Sequence, residues 1–409
     1  MASSGTPLPG PRRWPLTLVL GGLAAFGPFS IDTIFPAFPQ MAADLGVGPL
    51  QIQQTISVYL LAYAAMSLVH GPLSDAFGRK RVLVGGLLVY MLASAGCALS
   101  HDLTMLLSFR ALQGMSAGAG LIVGRAMIRD LFHGQEAQKL MSQVAMIFSI
   151  APAVAPIYGG WVLGVGGWPV IFWSLVAFVC VLLGGVGLAL PETHPPERRM
   201  RLSPALLWRD YVSIFANPRF LRLAGVVAFN FGGLFLYIAS APALVFGLLG
   251  LDERQFGWLF VPFIAGMMLG SFVSARLAGR VDGGRLGSAG FAIGALAMAF
   301  NLAYTHLSPA LELPWVVLPL FLHALGLALM VPVVTLAILD MYPRQRGSAS
   351  SSQAFTQLLA NAAIGGALSP LLSRSGALLA AGAAVLVLLA WLCWLFECRS
   401  RRAMLAAAS

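Results

Sequence analysis

Two charged residues lie inside long apolar runs: Asp32, in Phe-Ser-Ile-Asp-Thr-Ile-Phe-Pro, and Arg110, in Arg-Ala-Leu-Gln-Gly. In a membrane span such a charge costs at least ~2.5–3.5 kcal/mol, and it usually marks an ion or proton pathway. Asp32 can exchange a proton, because burial favours the neutral acid while water or a nearby cation favours the charged form. Arg110 keeps its proton, so it is the natural partner of Asp32. We predict a proton-coupling pair, the alternative being a fixed pair or cap that serves structure alone.

A second set of residues occupies one short stretch, Gly71-Pro-Leu-Ser-Asp-Ala-Phe-Gly-Arg-Lys-Arg81. Glycine permits a tight turn, Asp75 can meet a helix N-terminus, and the basic run can hold acidic groups or lipid phosphates. No strand precedes the stretch, which argues against a soluble phosphate-binding loop. We predict a conformational latch between two parts of the chain. Its residues are Gly71, Asp75, Gly78, Arg79 and Lys80.

A third pattern combines Ala151-Pro152, Ala155-Pro156 and Gly159-Gly160 in one apolar run. Each proline removes a helix hydrogen bond and bends the helix. The run therefore predicts a kinked helix in which Pro156, Gly159 and Gly160 help to bend or seal a pathway. Packing at a kink is the alternative.

Polar and aromatic residues scattered through the other runs predict an adaptable, largely apolar cavity. His323 could titrate there or be a hydrogen-bonded interior histidine. The predicted cavity residues are Phe29, Asp32, Tyr59, Tyr63, Arg110, Gln113, Asn230, Tyr237 and His323.

The elements that must position these residues are membrane helices. Of the 409 residues 58% are hydrophobic and only 10% are charged, against about 25% charged in soluble domains. The apolar runs are too long for the alternating strands of a membrane β-barrel. We predict an all-α membrane protein with twelve spans, the first of which is not a cleaved signal. The runs are 15–38, 51–72, 82–100, 103–128, 140–163, 168–190, 220–248, 256–279, 287–306, 314–340, 348–370 and 376–397.

The basic residues predict the orientation of these spans. With the N-terminus in the cytoplasm, 22 of the 25 Lys and Arg residues fall in or beside cytoplasmic segments, whereas Arg254 and Arg374 fall outside. Loops rich in Lys and Arg stay in the cytoplasm. We therefore expect a multi-pass protein with both termini cytoplasmic, and the net charge of +10 needs no nucleic-acid partner.

The longest loop predicts the domain organisation. Residues 191–219 follow the sixth span and become strongly basic, which is typical of a linker between two six-helix repeats. A faint echo of the Gly71–Arg81 stretch at 274–285 supports a repeat. We predict an N-terminal six-helix bundle over 1–190, a cytoplasmic linker over 191–219 and a C-terminal six-helix bundle over 220–409.

Several ligand classes are not expected. The four cysteines lack metal-ligand spacing, and the six histidines are scattered. We therefore expect no enzyme activity, no metal and no cofactor, with a proton gradient as energy source. The expected partners are a small-molecule substrate, protons and membrane lipid, and the expected unit is a monomer.

The motifs resemble those of the major facilitator superfamily over nearly the whole chain. Gly71, Leu73, Asp75, Gly78, Arg79 and Lys80 match its loop signature, with Ala76 where a basic residue is usual. Arg110-Ala-Leu-Gln-Gly114 is similar to the helix-four motif of proton-coupled members. Pro156-x-x-Gly159-Gly160 is similar to the helix-five motif of antiporters, with Ala151 and Ala155 in place of two glycines.

Four further stretches resemble the bicyclomycin/chloramphenicol-resistance (Bcr/CflA) drug exporters. They are Ser30–Pro39, Ser57-Val-Tyr-Leu60, Gly71–Asp75 and Ala241-Pro-Ala243. The resemblance implies drug:proton antiport across a bacterial inner membrane. It implies Asp32 and Arg110 as the proton-linked pair, and a central cavity from helices one, four, seven and ten. The alternative is an exporter or symporter of an endogenous metabolite such as a sugar or amino-acid derivative; a membrane-embedded enzyme or a scaffold fits the residues less well.

Overall fold

The computed structural model describes residues 13–132, 134–199, 202–277, 280–308, 310–343 and 345–408. Within those ranges the chain forms helices and no strand. Among the described residues, eleven helical segments are long and apolar enough to cross a membrane, and one bent pair, taken as a single span, is the twelfth. The predicted all-α fold with twelve spans is confirmed.

The spans follow one another along the chain. The longest connections are the linker after α9 and residues 240–256, which include a π-helix, Ala243–Leu248. The helices of the first half are α1 (Arg13–Asp32), α2 (Phe38–Asp44), α3 (Pro49–Ile52), α4 (Gln54–Ser67), α5 (His70–Phe77), α6 (Arg79–Ala98), α7 (Leu103–Leu131), α8 (Gly134–Gly166) and α9 (Trp168–Ala189). After the linker helix α10 (Pro204–Phe215) come α11 (Pro218–Ala239), α12 (Gly257–Leu277), α13 (Gly283–Leu307), α14 (Leu318–Met341), α15 (Arg346–Ala363), α16 (Ser369–Leu372) and α17 (Gly376–Ala408).

Two spans of the first half are broken. The first span runs on past Asp32 through a 3₁₀ turn, Phe35–Ala37, into α2. Pro36 and Pro39 lie at this break and cannot donate helix hydrogen bonds. The second span consists of α4 and α5, which meet at an angle of 48°. The first span is therefore interrupted, and the second changes direction, beside residues with predicted functions.

Each half packs mainly within itself. In the first half α7 lies against α4 and α6, and α1 lies against α8; in the second half α14 lies against α12 and α13, and α11 lies against α17. The two halves meet along α4 with α15 and along α8 with α12. Small residues permit these close approaches, since a side chain on Gly160 of α8 would collide with the carbonyl oxygen of Glu253.

The bundle has two unlike ends. We call the end with the α5–α6 turn, the α7–α8 turn and α10 the basic end, because most Lys and Arg residues lie there. At the other end, the closed end, the amide of Gln53 donates to the carbonyl of Ala239 (3.0 Å) and to the hydroxyl of Ser369. The Gln54 amide donates to the carbonyl of Gly366 at 3.2 Å. These bonds join the first half to the second.

The predicted linker contains a helix that sequence analysis did not anticipate. Ser203 caps α10 by accepting from the backbone N–H of Leu206. Tyr211 donates to the carbonyl of Leu68 at 2.6 Å, and Gln345 donates to the carboxylate of Asp210 at 2.9 Å. The linker helix therefore contacts both halves.

Four residues behind the sequence predictions lie outside the described residues. Arg12, Arg201 and Arg344 were counted for the orientation of the spans, and Gly279 belongs to the stretch that echoes Gly71–Arg81.

Candidate functional site

A cavity of about 520 Å³ separates the two halves at the basic end. Its walls come from α4, α5, α7 and α8 of the first half, from α10, and from α14 and α15 of the second half. The volume lies within the ~300–1,000 Å³ of pockets for drug-sized ligands. Apolar side chains make up much of the wall, among them Leu121, Ile122, Met141, Leu206 and Leu358.

The charged groups on this wall are mostly cations. Arg125 and Arg129 of α7 and Arg346 of α15 line the cavity together with Arg79. The wall carries one carboxylate, that of Asp75, among the residues the structure describes, and it forms an ion pair with Arg79 at 2.5 Å. The cavity therefore carries an excess of positive charge.

Tyr211 closes one side of the cavity from the linker. Burial, reinforced by the negative charge of Asp210, raises the pKa of the Tyr211 hydroxyl to about 12. The hydroxyl therefore stays protonated near neutral pH and remains a donor to the carbonyl of Leu68. This bond fastens the linker next to the break between α4 and α5.

Arg110 of α7 is fully buried. Its guanidinium donates to Gln113 Oε1 (2.8 Å), to the carbonyl of Thr55 (3.3 Å) and to Ser30 Oγ (3.4 Å). It also lies over the ring of Tyr59, 4.4 Å from the ring centroid. One nitrogen, Nη2, is buried without a hydrogen-bond partner. Arg110 is thus held by neutral groups and keeps one unfilled donor.

Asp32 is the last residue of α1 and its side chain is 5% exposed. Its carboxylate has no hydrogen-bond or ion-pair partner among the residues that the structure describes. The predicted Asp32–Arg110 pair is therefore absent from this conformation. The position of a residue along a helix fixes the depth of its side chain but not the direction in which the side chain points. Arg110 donates to Ser30, which lies two residues before Asp32, and not to Asp32 itself.

Most of the predicted cavity residues lie in the packed interior rather than on the cavity wall. Of the nine, all within the described ranges, Tyr63 alone lines the large cavity. The half-buried Phe29 packs on the rings of Tyr158 and Phe178, at 5.5 and 5.7 Å between centroids. In this conformation the other eight residues are not on the wall of the large cavity, because several of their polar groups bond to neighbours within the same half. Their role in a substrate cavity stays a prediction.

Those partners can be stated for each residue. Tyr59 donates to the carbonyl of Gly27 (3.1 Å), and Gln113 donates to Ser94 (2.7 Å). In the second half a ring nitrogen of His323 lies 3.0 Å from the carbonyl oxygen of Asn230, and Asn301 donates to the hydroxyl of Tyr237 at 2.7 Å. His323 is thus an interior histidine with a backbone partner.

The Gly71–Arg81 stretch forms α5, a turn and the start of α6. The turn residue is Gly78, with φ of 100°, whereas Gly71 is helical. Arg79 contacts Asp75 and also donates to Asp130 of α7 at 3.2 Å. Asp75 was predicted to meet a helix N-terminus, but it pairs with Arg79 instead. In this conformation these contacts stay within the first half and the linker, and the interdomain latch stays a prediction.

The carboxylate that meets the N-terminus of α6 comes from the linker. Glu192 accepts from the backbone N–H groups of Arg79 (2.9 Å) and Lys80 (3.2 Å). The side chain of Lys80 extends to the carbonyl of Gly187 at 3.2 Å. This role of Glu192 was not predicted, although an acidic residue directly after a span is a candidate cap for a neighbouring helix.

The helix-five pattern lies where the halves meet. Pro152 and Pro156 are both inside α8. A side chain on Gly159 would collide with the carbonyl oxygen of Thr33, next to Asp32, just as Gly160 meets Glu253. Gly159 and Gly160 therefore let α8 touch the broken first span on one side and the second half on the other.

Two further charged residues were not predicted to have a function. Arg125 was counted as a cytoplasmic charge. Its position inside the apolar run 103–128 could have indicated a functional charge within a span. Glu397 of α17 is 2% exposed and pairs with Arg219 at 2.7 Å and Arg222 at 3.8 Å. No role was predicted for Glu397, which is the last residue of the predicted twelfth span.

Comparison with known proteins gives matches along the whole chain. The family described as Major Facilitator Superfamily matches residues 18–251 and 223–407. An uncharacterized MFS-type transporter, YdgK, of Bacillus subtilis is 31% identical over 366 residues, which cover 88% of this chain and 89% of that protein. A bicyclomycin resistance protein homolog of Haemophilus influenzae is 32% identical over 266 residues, which cover 64% of this chain and 66% of that protein.

The fold is also found among solved structures. A bacterial homolog of the human lysosomal transporter Spinster, in an inward-facing and unoccupied conformation, superposes with a TM-score of 0.71 at 17% identity. The match covers 95% of this chain and 97% of the other. At this identity the likeness concerns the fold.

Proposed function

Because the chain belongs to the major facilitator superfamily, we propose that it is a proton-coupled antiporter that exports small drugs by alternating access. The substrates proposed are chloramphenicol- or bicyclomycin-like compounds with a large apolar surface. Similarity to a bicyclomycin resistance protein homolog supports this substrate class. The apolar wall of the cavity supports it as well. The setting proposed is the bacterial inner membrane, with the basic end in the cytoplasm, as the positions of Lys and Arg favour.

The observation that carries the proposal is the state of Asp32. A buried carboxylate without a hydrogen-bond or ion-pair partner is costly when ionised. Such a group is stable here as the neutral acid, which corresponds to the proton-loaded carrier. Asp32 also lies at the break of the first span, next to the contact between Thr33 and Gly159. A change in its charge therefore acts where α8 seals the closed end.

The proposed cycle uses two states of this carboxyl group. With Asp32 protonated, the cavity is open at the basic end and receives the drug. Loss of the proton creates a charge that is stabilised by water or by the unfilled donor of Arg110. Reaching either partner requires α1 to move relative to α7, and that movement accompanies opening of the closed end. Both halves of one chain line the cavity, so a monomer suffices.

Substitution of Asp32 tests the proposal. Asp32→Asn keeps the shape of the neutral acid and cannot release a proton. We expect purified Asp32→Asn in proteoliposomes to lose drug transport driven by a pH gradient, by at least about tenfold, while drug binding is retained. Asp340→Asn is the matched control, because the Asp340 carboxylate is 75% exposed.

Two results would contradict the proposal. If Asp32→Asn transported the drug at the wild-type rate when a pH gradient drives transport, Asp32 would be excluded as the coupling group. Drug accumulation that rises in cells expressing the wild-type chain would indicate an importer.

A further inference from the structure

Arg125 is a cation in an unusual place. It lies six residues before the end of α7, which is about 9 Å along the helix axis. Its side chain lines the cavity between the halves and is exposed there. Arg129 lies one turn further along the same helix and lines the same cavity. This face of α7 therefore presents two positive charges to the cavity. Like charges four residues apart repel each other, so an anion between them would be stabilising.

Several other arginines at the basic end have partners. Arg79 has Asp75 and Asp130, and the pair Arg219 and Arg222 shares Glu397. Arg346 lies 3.9 Å from Asp340. Neither Arg125 nor Arg129 has a hydrogen-bond or ion-pair partner within the described ranges. The one carboxylate on the described wall, Asp75, is occupied by Arg79.

Hydroxyl donors line the cavity wall contributed by the second half. Ser348, Ser350 and Ser351 lie in the first two turns of α15 and line the cavity. Hydroxyl groups can donate to an anion without adding charge. Much of the remaining wall is apolar, and its other charged groups, Arg79, Asp75 and Arg346, belong to ion pairs. The cavity thus combines two unpaired guanidinium groups, several hydroxyl groups and an apolar surface.

We propose that Arg125 and Arg129 form a subsite for an anionic group of the transported compound, with the serines of α15 as additional donors. The preferred ligands are amphiphilic organic anions, in which a carboxylate or similar group meets α7 and an apolar body meets Leu121, Ile122 and Leu358. The subsite rests on the proposed function, since it lies in the cavity that the proposed exporter opens to its substrate.

Binding of a matched pair of probes tests the subsite. The probes are N-dansyl-6-aminohexanoate and its methyl ester, which share the fluorophore and the chain and differ in charge. They are titrated against the purified full-length protein in uncharged detergent, with dansyl fluorescence as the readout. We expect the carboxylate to bind at least about tenfold more tightly than the ester, as expected for a charge-assisted hydrogen bond.

Arg125→Gln should remove most of this preference. We expect it to weaken carboxylate binding by about tenfold and to change ester binding by less than about twofold. Arg125→Lys should keep part of the preference, because the charge remains and the planar fork is lost. Arg129→Gln, which should also weaken carboxylate binding, is a second variant in case Arg125→Gln does not fold. Arg285→Gln at the basic end is the matched control, as Arg285 does not line the cavity.

Two outcomes would overturn the subsite. Equal loss of both probes in Arg125→Gln would show that Arg125 shapes the cavity, and unchanged binding of both would show that it takes no part. The assay uses no membrane and no proton gradient. Failure of antiport would therefore leave the probe preference intact, and absence of the preference would leave proton-driven efflux of neutral drugs intact.

Discussion

Glu397, in the second half of α17, connects this helix to the start of α11 through two arginines. Its carboxylate is almost fully buried, while the Arg219 and Arg222 side chains are each 34% exposed. Breaking a buried pair by removing one partner costs ~3–5 kcal/mol, and partial exposure of the arginines lowers this figure. We expect Glu397→Gln to destabilise the protein by about 1–3 kcal/mol. A lower melting temperature of the purified protein in detergent would be the readout.

The same chemical change at an exposed carboxylate is the control for Glu397. Asp340→Asn removes a carboxylate that is 75% exposed, where an ion pair contributes about 0–1 kcal/mol. We expect its melting temperature to match the wild type. Equal melting temperatures for Glu397→Gln and Asp340→Asn would show that Glu397 adds nothing to stability.

Asp32 and Arg110 show what sequence can predict for a single residue. Their presence and depth in the membrane follow from the apolar runs around them. Their contacts do not, because the regular helix ends at Asp32, and because Gln113, Thr55 and Ser30 offer neutral acceptors to Arg110. The proton-coupling role of the two residues stays a prediction.

At the scale of elements, the α5–α6 turn depends on one glycine. Gly78 has φ of 100° and ψ of 144°, a combination that costs other residues about 1–3 kcal/mol. A side chain there would also collide with the Glu192 carboxylate that caps α6. We expect Gly78→Ala to lower the melting temperature and to reduce transport, because both the turn and the cap are disturbed.

Gly71 of the same stretch is the matched control. It is helical, and no heavy atom lies within 4 Å of the position that a side-chain carbon would take. Gly71→Ala should leave stability unchanged or raise it by up to about 1 kcal/mol, because alanine favours helix. A comparable loss of stability in both variants would refute the assignment of Gly78 as the turn residue.

The helices themselves were predictable, since a span needs about 20 apolar residues and leaves a long run in the sequence. The breaks were not. Apolar residues surround both breaks, so hydropathy does not mark where the first span is interrupted or where the second bends by 48°. Pro36 and Pro39 are a local signal at the first break only. The linker helix α10 was missed because its twelve residues are too few to form a span.

At the scale of the molecule, Gln53 connects the two halves at the closed end. Its amide donates to both Ala239 and Ser369. Each such bond contributes ~0.5–1.5 kcal/mol net, so Gln53→Ala should shift the population towards the conformation open at this end by about tenfold. Glutamine is long enough to span the interface and cannot carry charge, which suits a contact that must form and break.

Spin labels can measure this shift. Leu50 of α3 and Leu371 of α16 are both exposed and belong to different halves. Labelled cysteines at these positions, in a chain without its native cysteines, give a distance distribution by pulsed electron paramagnetic resonance. We expect longer distances in Gln53→Ala. Gln40→Ala is the control, since Gln40 accepts from the backbone of Trp168 within the first half. An unchanged distribution in Gln53→Ala would exclude Gln53 as a contact that holds this end closed.

The linker helix has a mechanical consequence for the whole molecule. Because α10 is tied to Leu68 on one side and to Gln345 on the other, any rotation that narrows the gap between the halves must either break one tie or use α10 as its pivot. The segment that connects the two halves therefore also limits how they can move relative to each other. Trp208, which is 73% exposed on α10, can anchor this pivot at the lipid headgroups, where tryptophan is enriched.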